Sequence, residues 1–174
     1  QPALVQDFTP DIDTAADAVT STLSQDPGAY PVAFAVSPDG GTVYVTDAGI
    51  LQVAAISTAT DTVTGTLATN KKPGEIAVTP DGARAIVTDY HSNTIEVITI
   101  ATDAITTVTV GSNPEGVVIS SDGTTAYVAN PGSDTVSVID LATDAVTATI
   151  PVGSSPYGVT LSNDGTTAYV TDFD

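Results

Sequence analysis

A short motif that recurs in fixed register constrains this chain more than any other feature. Ser37-Pro38-Asp39-Gly40 returns as Thr79-Pro80-Asp81-Gly82, Ser120-Ser121-Asp122-Gly123 and Ser162-Asn163-Asp164-Gly165, at steps of 42, 41 and 42 residues. Tyr44-Val45-Thr46-Asp47 returns in phase as Ile86-Val87-Thr88-Asp89, Tyr127-Val128-Ala129-Asn130 and Tyr169-Val170-Thr171-Asp172. Pro31, Pro73, Pro114 and Pro156 keep the same register. A period of this length belongs to propellers, solenoids and arrays, in which each copy is one supersecondary unit.

The clearest copy, residues 114–155, shows what the unit is. Residues 116–120 (GVVIS) form an almost continuous apolar run, which predicts a strand buried on both faces. Ser121-Asp122-Gly123 then turns the chain, with Asp accepting local N–H groups and Gly supplying positive φ. Residues 126–129 are a second run, closed by Asn130-Pro131-Gly132-Ser133. Residues 135–140 alternate and turn at Ala142-Thr143-Asp144, after which Val146, Ala148 and Ile150 alternate with Thr147 and Thr149. Four short antiparallel strands, the first driest and the last wettest, are expected to make one propeller blade.

The tetrapeptide copies YVTD, IVTD, YVAN and YVTD resemble the YVTN-type β-propeller repeat, although none has the full YVTN sequence. The resemblance covers residues 31–174. It implies a secreted or cell-surface propeller of the kind found in surface-layer proteins. The same blade also serves enzymes, among them relatives of 6-phosphogluconolactonase and haem- or quinone-dependent redox proteins.

The expected fold class is all-β: one propeller domain over residues 1–174, with four-stranded antiparallel blades at 31–72, 73–113 and 114–155. Residues 12–23 match 139–150 almost position for position, so 8–30 should supply an outer half-blade. Its strand at 18–23 reads clearly. The preceding strand reads poorly, because Pro10 lacks a ladder donor, and residues 1–7 read as a tail. Residues 156–174 repeat only the two inner strands. The two halves complement each other, which favours a four-bladed ring with one blade closed by N- and C-terminal strands. A piece of a longer propeller, or two chains sharing blades in a dimer, are the alternatives to that monomer.

Charge narrows the partners. Three basic residues stand against 21 acidic ones, a formal net charge of −18. Nucleic acid is held by Lys and Arg on its phosphates, so it is excluded as a partner, and anionic membrane surfaces are disfavoured. Solubility and protection of short β-edges account for the acidity; a cation-rich or saline habitat is the sharper alternative. Cysteine is absent, which removes disulfides and thiolate metal sites. No apolar run is long enough for a spanning helix, so membrane insertion is not expected. The chain begins at Gln1, consistent with removal of a leader from a secreted or cell-surface protein.

Chain direction places the Pro loops and the loops after YVTD on one face, and the Asp-Gly and Ala-Thr-Asp turns on the other. The copies differ most on the Pro-loop face. Tyr30, Lys71, Lys72, Glu75, Tyr90, His91, Glu115 and Tyr157 all fall there, and they form the candidate partner-binding surface. The bland reading is that variable residues gather on loops in any protein. Asp47, Asp89, Asn130 and Asp172 end the second strands and read as turn-formers. Arranged around an axis they could also bind calcium, although no EF-hand spacing is present. His91, with no Cys or second His, makes neither a transition-metal cage nor a triad. No GxSxG, phosphate-binding loop or HExxH occurs, and the Cys and Met that redox propellers use are absent. No cofactor is expected. The chain reads as a non-catalytic module binding a protein or glycan outside the cell. A hydrolase or lyase using Glu75 and Glu115 at a channel mouth, and a purely structural repeat domain, are the alternatives.

Overall fold

The computed structural model describes residues 7–13, 18–24 and 28–173, with side chains from residue 28 onward. The chain is all-β with one short 3₁₀ turn, Pro131–Ser133, among those residues. The first blade is a meander of β3 (Pro31–Val36), β4 (Thr42–Asp47), β5 (Gln52–Ser57) and β6 (Thr62–Ala68). The second comprises β7 (Ile76–Val78), β8 (Arg84–Asp89), β9 (Thr94–Thr99) and β10 (Ala104–Thr109). The third comprises β11 (Val117–Ile119), β12 (Thr125–Asn130), β13 (Thr135–Asp140) and β14 (Ala145–Pro151).

The ends of the chain each add half a blade. β1 (Asp7–Asp13) pairs with β2 (Ala18–Ser24), and β15 (Pro156–Leu161) pairs with β16 (Ala168–Asp172). Pro10 is tolerated in β1 opposite Thr22, between register shifts at Asp7/Thr9 and Asp11/Ile12. The chain thus holds the strands of four blades, three complete and the fourth as two separate two-stranded sheets. No ladder joins those halves among the described residues. The N-terminal tail expected over residues 1–7 lies outside the described residues, except for Asp7.

Local chemistry explains each turn. Ser37 Oγ donates to Asp39 Oδ1 at 2.6 Å and Gly41 N–H donates to the same oxygen at 2.9 Å, while Gly40 takes φ +71°. Ser120/Asp122 and Ser162/Asp164 repeat the bond at 2.6 Å, and Thr79 replaces Ser beside Asp81. Asp61, Asp103 and Asp144 close the outer hairpins in the left-handed region, at φ 52°, 56° and 51°. Aspartate tolerates that conformation better than most residues.

Blades stack face to face through apolar side chains. Tyr44, Val53 and Leu67 of the first blade pack on Ile76, Ala85, Val87 and Ile98 of the second. Ile86, Ile95, Val97 and Val108 on the second blade's other face pack on Ala126, Val128, Ile139 and Leu141. Each fully buried Ile contributes about 1.5–3 kcal/mol relative to exposure. The innermost strands follow one another across the fold, β3 beside β7, β7 beside β11 and β11 beside β15.

Burial departs from the expected order. The middle strands are driest, β8 and β9 having four or more buried residues each, whereas β11 has none. An innermost strand has a ladder neighbour on one side only, so a continuous apolar run there is half covered. The outermost strands are wettest, as expected. On β3 the inward Ala33 and Ala35 pack against the second blade, but Val32, Phe34 and Val36 on the other face are exposed. Tyr169 and Phe173 at the far end are exposed too. The faces equivalent to these on the second blade are covered by neighbouring blades.

Candidate functional site

The Pro loops enter the innermost strands, and each entry is fixed by backbone hydrogen bonds. Glu75 N–H donates to Thr88 Oγ1 at 2.9 Å and Thr88 N–H returns to Glu75 O at 3.0 Å, so Glu75 stands at the mouth of β7. Glu115 N–H donates to Ala129 O at 2.9 Å, which places Glu115 at the mouth of β11. Gly116 N–H donates across to Tyr157 O at 2.9 Å and locks the third blade to β15. A Cβ on Gly116 would lie 2.5 Å from that same oxygen, so only glycine permits this approach.

Four of the eight candidate residues act on one another through this arrangement. Burial pushes the Glu75 carboxyl up from the ordinary range. Burial does the same to Glu115, and the Glu75 charge adds to it. The Tyr157 phenol is pushed up first by Glu115, then by burial, Glu75 and Tyr90. Glu75, Glu115, Tyr157 and Tyr90 therefore form one electrostatic group spanning the second and third blades and β15. Tyr157 and Tyr90 are 48% and 38% exposed, so both rings are available to a partner.

Of the other four, only His91 touches that group. His91 is exposed and packs edge-on against Tyr90, with ring centroids 4.7 Å apart. Lys72 is exposed on the loop before β7. Lys71, on the same loop, acts on Asp89 and Glu96 beneath it. Tyr30 is 63% exposed, and its N–H donates to Asp47 Oδ1 at 2.7 Å.

The strand-end carboxylates have local duties. Asp47 Oδ1 also accepts the N–H groups of Gly49 and Ile50, at 2.9 and 3.2 Å. Asn130 Nδ2 donates to Val128 O, Thr135 O and Ser137 Oγ. Asp89 Oδ2 accepts the Thr94 hydroxyl at 2.9 Å. Asp47, Asp89 and Asn130 are fully buried, whereas Asp172 is exposed. Among the described residues, no three His, Asp or Glu side chains gather where they could hold a metal ion.

Three features escaped the sequence reading. Phe173 meets Tyr157 edge-on at 5.7 Å and extends the aromatic surface. Glu96 is fully buried. A cleft of about 300 Å³ opens between the second and third blades, lined by residues that include Thr109, Gly111, Ser133, Ser137 and Thr149, and none of the eight candidates lines it. The only signal for Glu96 was its position, where the neighbouring copies carry Ala54 and Ser137.

The sequence matches the Choice-of-anchor I domain over residues 8–158. It matches no curated protein. Among solved structures, hydrazine synthase from Kuenenia stuttgartiensis is similar at 33% identity and TM-score 0.78, over 83% of this chain and 42% of that one. A functionally unknown protein from Desulfotomaculum acetoxidans superposes at TM-score 0.74 and 16% identity, over 88% of this chain and 53% of that one. A 6-phosphogluconolactonase-like protein from Bacteroides uniformis superposes at TM-score 0.70 and 14% identity, over 83% of this chain and 48% of that one. The last two likenesses show the fold alone. The chain spans about half the length of these proteins. No helix among the described residues is long and apolar enough to cross a membrane.

Proposed function

The chain belongs to the Choice-of-anchor I domain family, and from that premise we propose that it is a non-catalytic interaction module binding a protein or glycan through its Pro-loop face. The family name ties the propeller to anchoring at the cell surface. The YVTN-like repeat and an extracellular location are part of the same reading. The observation that carries it is the exposed aromatic surface of Tyr157, Phe173 and Tyr90, with Tyr157 tied beside Glu115 by the Gly116 N–H to Tyr157 O bond at 2.9 Å. Exposed tyrosines beside half-buried carboxylates offer apolar area with fixed acceptors, which suits sugar hydroxyls or the Lys and Arg of a protein partner.

Screening the chain against immobilised glycans and cell-envelope extracts tests this. Tyr157→Ala and Glu115→Gln should each weaken capture at least about tenfold, the value of one good anchor. Their melting temperatures should stay near that of the parent. Capture that survives both substitutions would remove the Pro-loop face from consideration. The second reading rests on Glu75 and Glu115: neighbouring carboxyls pushed up by burial are the raw material of general acid catalysis. Turnover of a glycoside or lactone that Glu115→Gln abolishes would favour it over binding alone.

A further inference from the structure

Beneath the loop that carries Lys71 and Lys72 lies a pair of carboxyls that neither reading uses. β8 and β9 pair with Asp89 opposite Thr94 and Val87 opposite Glu96. Asp89 and Glu96 are therefore diagonal neighbours on one face of the sheet, within reach of each other's side chains. Both are 0% exposed. Each has one oxygen satisfied: Thr94 Oγ1 donates to Asp89 Oδ2 at 2.9 Å, and Asn70 N–H donates to Glu96 Oε1 at 2.9 Å. Each has a second, buried oxygen with no partner, Asp89 Oδ1 and Glu96 Oε2.

The neighbouring blades show what this position ordinarily holds. In the third blade the equivalent residues are Asn130 and Ser137, and Asn130 Nδ2 donates to Ser137 Oγ at 3.0 Å. In the first they are Asp47 and Ala54, so only one carboxylate is present. Asp47 Oδ2 and Asn130 Oδ1 are likewise buried without a partner, but of the three complete blades only the second sets one carboxylate against another. A shared proton would relieve this, because two ionised carboxylates sharing a buried site repel and are poorly solvated. Asp89 acts on Glu96, Lys71 acts on both, and the Ser92 and Asn70 side chains add hydrogen bonds to Asp89 and Glu96. Lys71 is exposed on the loop above, where water screens it.

We propose that Asp89 and Glu96 hold one proton between them at neutral pH, and that this protonated pair clasps the 69–73 loop to the second blade through Asn70. The proton turns one carboxyl into an O–H donor toward the other's unpartnered oxygen, which restores the donor–acceptor couple of Asn130 and Ser137. With the proton in place, Glu96 stays buried and keeps the Asn70 N–H. Once it is lost, the second charge is relieved by moving Glu96 toward water, and the loop comes free. The clasp would regulate the Pro-loop face by setting where Lys71 and Lys72 stand. That consequence rests on the function proposed above, whereas the shared proton does not.

Burial pushes both carboxyls up; for Glu96 the charge of Asp89 adds to it. Stability from the pair is therefore complete below the unfolded values of 3.8 and 4.5 and is lost as pH rises through the folded ones. Carboxyl ¹³C NMR of the parent chain at pH 7, with Asp and Glu labelled, should show one proton on the pair. Two ionised carboxylates there would overturn the proposal, whether a cation bridged them or not. Glu96→Gln supplies the donor permanently, so it should flatten the fall in Tm between pH 5 and 8, expected at about 3 °C or more in the parent. An unchanged slope in a folded Glu96→Gln chain would also overturn it. Hydrogen exchange at the Asn70 amide, corrected for its intrinsic rate, should lose protection across that range in the parent and keep it in Glu96→Gln. Protection that holds or rises in the parent overturns the clasp. Failure of the binding surface itself would appear separately, as capture indifferent to Tyr157→Ala.

Discussion

At the turn end of the blades, Asp39, Asp81, Asp122 and Asp164 each accept a Ser or Thr hydroxyl and a backbone N–H two residues on. Those bonds hold their carboxyls below the ordinary range, Asp164 down to about 2. At the loop end, burial pushes Glu75, Asp89, Glu96 and Glu115 upward instead. One end is built around the ionised carboxylate; the other covers its carboxylates and leaves one oxygen each of Asp89 and Glu96 without a partner. The turn aspartates serve the scaffold, and the loop carboxylates are held in a state that a ligand or a proton can change. That difference, more than variability, is what supports the proposed assignment of function to the Pro-loop face.

The strongest way to break the comparison is to unseat the loop end mechanically. Gly116→Ala would drive its Cβ to 2.5 Å from Tyr157 O and 3.0 Å from Gly158 Cα, both backbone atoms of the neighbouring half-blade. A cost of about 1–3 kcal/mol is expected, the range for overpacking a tight contact. Chemical denaturation should show it as a lower midpoint at unchanged slope. The group of Glu75, Glu115 and Tyr157 should disperse with it, so capture should fall as well.

The matching change at the turn end is Gly123→Ala. Gly123 sits at φ +73°, and its Cβ would lie 3.2 Å from Pro80 Cδ of the preceding blade. About 1–2 kcal/mol is expected from the left-handed backbone alone. Unlike Gly116→Ala, it should leave partner capture intact once the chain is folded. Gly40, with nothing within 4 Å of its Cβ, isolates the backbone contribution from the contact.

How far the sequence revealed each end follows from the range of the interactions. The turn end was legible because a Ser-x-Asp-Gly turn is satisfied within five residues, by its own hydroxyl, carboxylate and glycine. The blade count and the pairing order followed from the same repeats. Glu75, Glu115 and Tyr157 could be placed on one face, but their mutual influence depends on how adjacent blades stack, which no single copy records. Asp89 and Glu96 were harder still. Asp89 looked like its counterparts Asp47 and Asp172, and the oddity lay in Glu96, where Ala54 and Ser137 stand in other copies. Burial of the first strand was misjudged because the apolar run at 116–120 carries no mark of its missing ladder neighbour.

A smaller effect is expected at Arg84, whose Nη1 lies 3.0 Å from Asp144 Oδ1 with both side chains 25% exposed. This pair joins an Asp-Gly turn of the second blade to an outer turn of the third. Arg84→Ala should cost about 0.2–1 kcal/mol, as partly exposed ion pairs do, and the loss should shrink in high salt. Capture at the opposite face should not change.

The finest test is a pair of isosteric amides whose effects on stability should have opposite pH dependence. Asp122 is held low by the Ser120 hydroxyl and the Thr124 N–H and hydroxyl, so its contribution is present above the unfolded value of 3.8 and is lost as pH falls through the folded one. Asp122→Asn cannot ionise, and its chain should be less stable than the parent at pH 7, with the gap closing as the medium is acidified. Glu115 is raised by burial and by Glu75, so its ionisation costs stability as pH rises above the unfolded value of 4.5. Glu115→Gln removes that cost and should be the more stable chain at pH 8, by a few tenths of a kcal/mol, while matching the parent near pH 4. Melting curves of the three chains across this range compare the two ends with one atom type exchanged in each. Parallel curves would mean that solvent screens both carboxyls alike and that the two ends do not differ in kind.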